Sequence, residues 1–203
     1  SGDHPVVLAG GGGITNPVPI GPMADVVFLG EAEQQAEELF GVLSEAGART
    51  DRIEASSSLP GVWVPSLGRG PVEVQRVDRL RRRWAPVRQL VPNSKVSHDR
   101  AVVELARGCT RGCRFCQAGH TTRPVREREP SEVVELLSES LAATGWEKAG
   151  LLTLSYSDYS RVAGLELALE PLQRRLGARI TRPSLRPDTI SRLGSRELIQ
   201  GRV

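Results

Sequence analysis

All three cysteines of the chain fall within eight residues, in Glu104-Leu-Ala-Arg-Gly-Cys109-Thr-Arg-Gly-Cys113-Arg-Phe-Cys116-Gln-Ala-Gly-His120, with the spacing C-x3-C-x2-C. Directly ahead lies Ala101-Val-Val-Glu-Leu-Ala106, an apolar run of strand length, so the cysteines sit on a loop that leaves the end of a buried strand. An odd number of thiols this close together cannot pair into a disulfide framework. Thiolates crowded on one loop repel one another unless a cation neutralises them, which points to a metal or cluster. Two other readings stay open. The thiols are inert and buried, although a loop of Gly, Arg and Thr is a poor apolar surrounding; or His120 completes a Cys3His zinc site. A cluster built for four thiolates finds three here, which leaves one iron open, and an open position marks a reactive metal rather than a structural one.

The residues after the loop alternate between two periods. Ser131 is a candidate helix N-cap, and Val133, Leu136, Leu137 and Leu141 then mark an apolar helical face that Gly145 closes. Ala149-Gly-Leu-Leu-Thr-Leu-Ser155 reads as a second buried strand. Val162, Leu165, Leu169, Leu172 and Leu176 keep helical spacing, with a kink or restart expected at Pro171 and an end at Gly177. Ala178-Arg-Ile-Thr-Arg-Pro183 is a third, weaker strand. Strand, helix, strand, helix, strand predicts an α/β fold with a parallel sheet or barrel, whose strand ends open on one face. The cysteine loop, Ser155-Tyr-Ser-Asp158 and Pro183-Ser-Leu-Arg186 each follow one of those strands.

Cys109-x3-Cys113-x2-Cys116, with Phe115 just before the last cysteine, resembles the cluster loop of radical S-adenosylmethionine (radical SAM) enzymes. Val91-Pro-Asn, His98-Asp-Arg and Arg123-Pro-Val-Arg-Glu-Arg resemble, more narrowly, a subfamily that carries a cobalamin-binding-like domain ahead of the radical domain and is related to tRNA methylthiotransferases. The resemblance implies that Cys109, Cys113 and Cys116 hold a [4Fe-4S] cluster whose open iron binds S-adenosylmethionine. It implies cofactor contacts from Phe115, Ser155, Ser157, Asp158, Ser184 and Arg186. Asp158 would take the methionyl ammonium in place of the family's Gly-Gly-Glu, or else cap the following helix; Arg186 would hold a carboxylate, or else a surface ion pair. Phe115 would pack on the cluster or the adenine, or simply join the core. Also implied are a flavodoxin- or ferredoxin-like reductant, an unknown substrate, and methyl or methylthio transfer. Arg123, Arg126 and Arg128 hint at RNA, against the plainer expectation of a solvated loop.

The first part of the chain reads as the edge of another α/β sheet. Pro5-Val-Val-Leu-Ala9 and Asp25-Val-Val-Phe-Leu29 are strand-like, Gly10 to Gly13 form a turn with no Lys-Ser/Thr for a phosphate loop, and Ala32, Ala36, Leu39, Phe40 and Leu43 fall on one helical face. Residues 54–92 are irregular, with a hairpin expected between Gly61-Val-Trp-Val-Pro65 and Val72-Glu-Val-Gln-Arg-Val77, and a solvated basic run at Arg79-Leu-Arg-Arg-Arg-Trp84. The expected division is 1–93, the last part of a cobalamin-binding-like Rossmann-like domain plus linker, and 94–203, the first half of a radical SAM core. The cobalt-ligating Asp-x-His-x-x-Gly signature is missing from these residues, since Asp3-His4 has no glycine at the required place, so cobalamin is unsupported.

A hydrophobic content of 39% suffices for a core, and a net charge of +3 permits nucleic acid contact without requiring it. The longest apolar runs are strand-sized, and the opening residues lack a basic-then-apolar leader, so a cytoplasmic protein off the membrane is expected. The absence of an initiator Met and a barrel shorter than the ~250 residues of eight units suggest a fragment that is inactive alone.

Overall fold

The computed structural model describes residues 4–68 and 70–190. The chain divides into two compact units, residues 1–78 and 79–203. Residues 79–93, which the sequence groups with the first part, pack in the second unit: Ala85 and Val87 lie against its core, and Arg82 pairs with Glu135 and Glu139.

In the first unit, β1 (Leu8–Gly11) runs parallel to β2 (Val26–Leu29), with Leu8 opposite Val26 and Gly11 opposite Leu29. β2 is buried along its whole length, as its unbroken apolar run requires. Its other neighbour is β3 (Val62–Trp63), antiparallel. The hairpin expected between 61–65 and 72–77 does not form. Gly61–Val64 is spent on β2, and Gln75 instead makes a parallel bridge to Gly30. That bridge needs glycine: Gly30 has φ +105°, and a Cβ there would stand 2.1 Å from the Gln75 carbonyl oxygen. Helix α1 (Ala36–Ser44) buries Leu39, whereas Phe40 lies outside the core. Helix α2 (Arg49–Ser56) is unforeseen, because Ile53 is its single buried large apolar side chain and leaves no periodicity to read. An ion pair ties its start to the sheet: Arg49 bonds Asp25, whose carboxylate also accepts the Val7 N–H at 2.7 Å.

The second unit is the expected alternation. β4 (Ala101–Glu104), β7 (Lys148–Leu152) and β8 (Arg179–Thr181) form a parallel sheet in that order, with Val103 opposite Leu151 and Ala149 opposite Ile180. Between β4 and β7 come a two-strand antiparallel ladder, β5 (Ala106–Arg107) with β6 (Arg126–Glu127), the short helix α3 (Ala118–Thr121), and helix α4 (Pro130–Thr144). Helix α5 (Val162–Leu176) joins β7 to β8, and α6 (Pro187–Ile190) follows. Ala101, Val103, Ala149, Leu151 and Ile180 face Val133, Leu136, Leu137, Leu141, Leu165, Leu169 and Leu172 in one buried cluster. Alternate residues face away, so Leu152 is half exposed. Gln89 occupies the free edge of β4, its side-chain amide donating to the Val102 carbonyl and accepting the Val102 N–H.

Three local expectations are corrected. Helix α4 starts one residue before Ser131, with Pro130 in the first turn, where its missing N–H costs nothing. Helix α5 runs through Pro171 without a restart; the carbonyl that Pro171 cannot serve belongs to Leu167, on the exposed side, where solvent can reach it. Leu176 ends that helix outside the core. Gly145 and Gly177 close both helices with φ of 72° and 61°, as left-handed caps do.

Candidate functional site

The cysteine loop is an excursion of residues 108–125 pinched at its base by the β5–β6 ladder. Gly108 starts it with φ +91°, and a Cβ there would fall 2.6 Å from the Thr122 carbonyl oxygen, so the two ends of the loop touch through glycine. The arginines of the returning strand fasten the base. Arg128, with a side chain only 3% exposed, donates to the Glu104 and Leu80 carbonyls and pairs with Glu132. Arg126 is also buried and donates to the Thr122 carbonyl, while Arg123 reaches the Arg111 carbonyl at 3.1 Å. The solvated loop expected here is therefore corrected at Arg126 and Arg128: their charge is spent on backbone carbonyls and Glu132 rather than on solvent. Arg123 stays exposed.

Within the loop, backbone amides point at sulfur. The Arg111 N–H donates to Cys109 Sγ at 3.3 Å, and the Gly119 N–H to Cys116 Sγ at 3.4 Å. The three thiols are unpaired and partly exposed. In kind, then, the donor set fits a thiolate-held metal. In position it does not: among the described residues no group of three or more His, Cys, Asp or Glu side chains stands close enough to share an ion. His120 sits on α3 with its ring nitrogen Nε2 3.3 Å from the Cys113 carbonyl oxygen. Phe115 is 93% exposed, so its reading as a core aromatic is wrong; a loop pinned by its arginines leaves that ring at the tip.

The loops after β7 and β8 meet the cysteine loop. Ser155 leads into a turn at Tyr156–Asp158, and Asp158 takes a two-pronged ion pair from Arg111, Nε at 3.2 and 3.1 Å from its two carboxylate oxygens and Nη2 at 2.5 Å. The Arg111 guanidinium holds the Asp158 carboxyl below the usual carboxylate range, against the opposing pull of burial. Asp158 does not cap α5, whose capping position is Arg161 with no side-chain cap bond. Ser157 Oγ accepts the Arg186 N–H at 3.2 Å, and the Ser184 carbonyl accepts the Tyr156 N–H at 3.3 Å. Arg186 spends its guanidinium on Asp188. Ser184 stands at φ 46°, an uncommon backbone for a residue with a side chain.

Behind this surface, Tyr156 is fully buried and donates its hydroxyl to Glu166, which Arg182 grips with Nε and Nη2. Burial, reinforced by the Glu166 carboxylate, pushes the Tyr156 phenol far up, so it stays a proton donor. A cavity of about 20 Å³ remains between Cys109, Glu127, Thr153, Ser155 and Asp158, room for about one water. The sequence brings Cys109, Ser155, Ser157, Asp158, Ser184 and Arg186 to adjoining loops, as their placement after successive strands implies. It gives no role to Arg111; the one available signal is a basic residue between two cysteines facing the loop of an acid.

Residues 1–65 match the family described as radical SAM proteins, N-terminal. Over 90 residues the chain is 32% identical to the uncharacterized protein MJ0966 of Methanocaldococcus jannaschii, a match covering 44% of this chain and 19% of that protein. The chain thus spans about a fifth of the length of that relative. The family match supports the radical SAM superfamily. It lies in the first unit, and the cysteine loop lies in the second. No helix among the described residues is long and apolar enough to cross a membrane.

Proposed function

We propose that the chain carries the cluster loop of a radical SAM enzyme, in which Cys109, Cys113 and Cys116 hold a [4Fe-4S] cluster. The observation that carries this reading is the placement of all three thiols on one stapled loop facing Asp158, at the carboxyl ends of a parallel sheet where α/β proteins bind ligands. With S-adenosylmethionine bound, that group would supply one-electron reductive cleavage to a 5′-deoxyadenosyl radical. The chain's own residues bind and orient. The Asp158 carboxylate, kept ionised, is the acceptor for an ammonium in a site with little water. Arg186, whose guanidinium pairs with Asp188, and Ser184 lie on the neighbouring loop, where a ligand carboxylate would need a cation and a hydroxyl and would have to compete with Asp188 for the guanidinium. Phe115 offers a bare aromatic face to a ring at the loop tip.

In this reading the three-stranded sheet is part of the radical SAM barrel, and the enzyme works in the cytoplasm with a flavodoxin- or ferredoxin-like reductant. Methyl or methylthio transfer is the completion that the related methylthiotransferases suggest. The test is anaerobic reconstitution with iron and sulfide, then dithionite and S-adenosylmethionine, with 5′-deoxyadenosine measured by chromatography. Formation of 5′-deoxyadenosine that Cys113→Ala abolishes supports the reading. Stoichiometric zinc that His120→Ala releases, without iron uptake, replaces it with a zinc-stabilised interaction module.

A further inference from the structure

Arg111 is fixed at three points at once. Its N–H is bonded to Cys109 Sγ, its carbonyl oxygen accepts from Arg123 and lies against Gly119, and its guanidinium grips Asp158. A residue tied at backbone and side chain fixes the chain around it, and the first two cysteines lie two residues to either side. In this arrangement the thiols do not gather around a common point, and the space between Cys109 and Asp158 admits about one water.

We propose that the Arg111–Asp158 pair is a latch: an internal cation occupies the carboxylate that a cationic ligand would take, and it holds the cysteine loop in a shape that cannot collect its three thiols. The proposal rests on the reading of those cysteines as cluster ligands. An ammonium and a guanidinium compete for the same two carboxylate oxygens. A ligand that brings its own ammonium to Asp158 therefore releases Arg111, and the loop with it. Asp158 is mostly buried and Arg111 is 40% exposed, so the pair is strong enough to order a loop and weak enough to be exchanged. Cluster loading and ligand binding then assist each other, because each favours the unlatched loop.

Hydrogen exchange and iron uptake on the whole chain test this, comparing the natural protein with Arg111→Gln, Arg111→Lys and Asp158→Asn. Exchange in helix α4 serves as the control for folding. The latch predicts faster exchange of the loop amides 109–122 in Arg111→Gln and Asp158→Asn, by roughly three- to tenfold, with α4 unchanged and Arg111→Lys between. It also predicts half-loading with iron and sulfide several times sooner in Arg111→Gln. Unchanged loop exchange, or slower iron uptake in Arg111→Gln, overturns it. Should none of the proteins take up iron, the cluster reading falls by itself, and loop exchange still decides whether the pair restrains the loop.

Discussion

Arg128→Ala is the substitution whose cost follows most directly from the structure. The guanidinium is 3% exposed and serves two backbone carbonyls, Glu104 and Leu80, each at 3.0 Å, besides Glu132. Hydrogen bonds from a charged donor contribute about 1.5–3 kcal/mol each, and removing one member of a buried pair costs about 3–5 kcal/mol. Glu132 is 25% exposed and can turn to water, which brings the expected loss to the lower end, about 3 kcal/mol. Arg128→Lys keeps a charge but not the fork, and a single ammonium cannot reach both carbonyls, so about half of the loss remains. Urea unfolding followed through Trp84 and Trp146 fluorescence measures both. At slopes of about 1–3 kcal/mol per molar urea, the alanine midpoint falls by about 1 M or more. A midpoint within about 0.3 M of the natural protein, or full recovery by lysine, refutes the claim that this arginine fastens the base of the cysteine loop.

Three further outcomes follow from the same contacts. Gly30→Ala forces a Cβ to 2.1 Å from the Gln75 carbonyl at positive φ, and thermal unfolding of the first unit should register a loss above ~2 kcal/mol. Leu137→Ala empties a fully buried site between α4 and the sheet and should cost ~2–5 kcal/mol in denaturant unfolding, with no effect on the first unit. Burial pushes the Asp25 carboxyl up, but the Val7 N–H and Arg49 outweigh it and hold its folded pKa below the ordinary value. For a depressed acid the stabilisation is fully present above the unfolded value of about 4 and is lost as pH falls through the folded value. Asp25→Asn should accordingly weaken the protein at neutral pH, and the difference from the natural chain should shrink in melts run at progressively lower pH below about 4.

The second unit was legible because its signals are local and redundant. Val133, Leu136, Leu137 and Leu141 announce one helix face, Gly145 closes it, and the runs at 101–106 and 149–155 are too apolar for anything but buried strands. The first unit carries weaker local signals. Helix α2 carries one buried large apolar residue, and β3 finds its partner in β2 rather than in the adjacent 72–77, a choice that no local pattern encodes. At the site, the thiols were visible from spacing alone. Arg126 and Arg128 were not, since charge predicts exposure unless backbone carbonyls are waiting, and those carbonyls come from Thr122, Glu104 and Leu80. Arg111 was invisible for a similar reason: its acid lies 47 residues downstream and meets it only when β4 and β7 pair.

The most direct test of the account counts metal and its ligands together. The protein is reconstituted anaerobically with iron and sulfide, and iron, sulfide and zinc are quantified for the natural chain and for Cys109→Ala, Cys113→Ala, Cys116→Ala and His120→Ala. The account predicts about four irons per natural chain, loss of the cluster in each cysteine variant, and retention in His120→Ala. One zinc per chain without iron, released by His120→Ala as readily as by any cysteine variant, would contradict it.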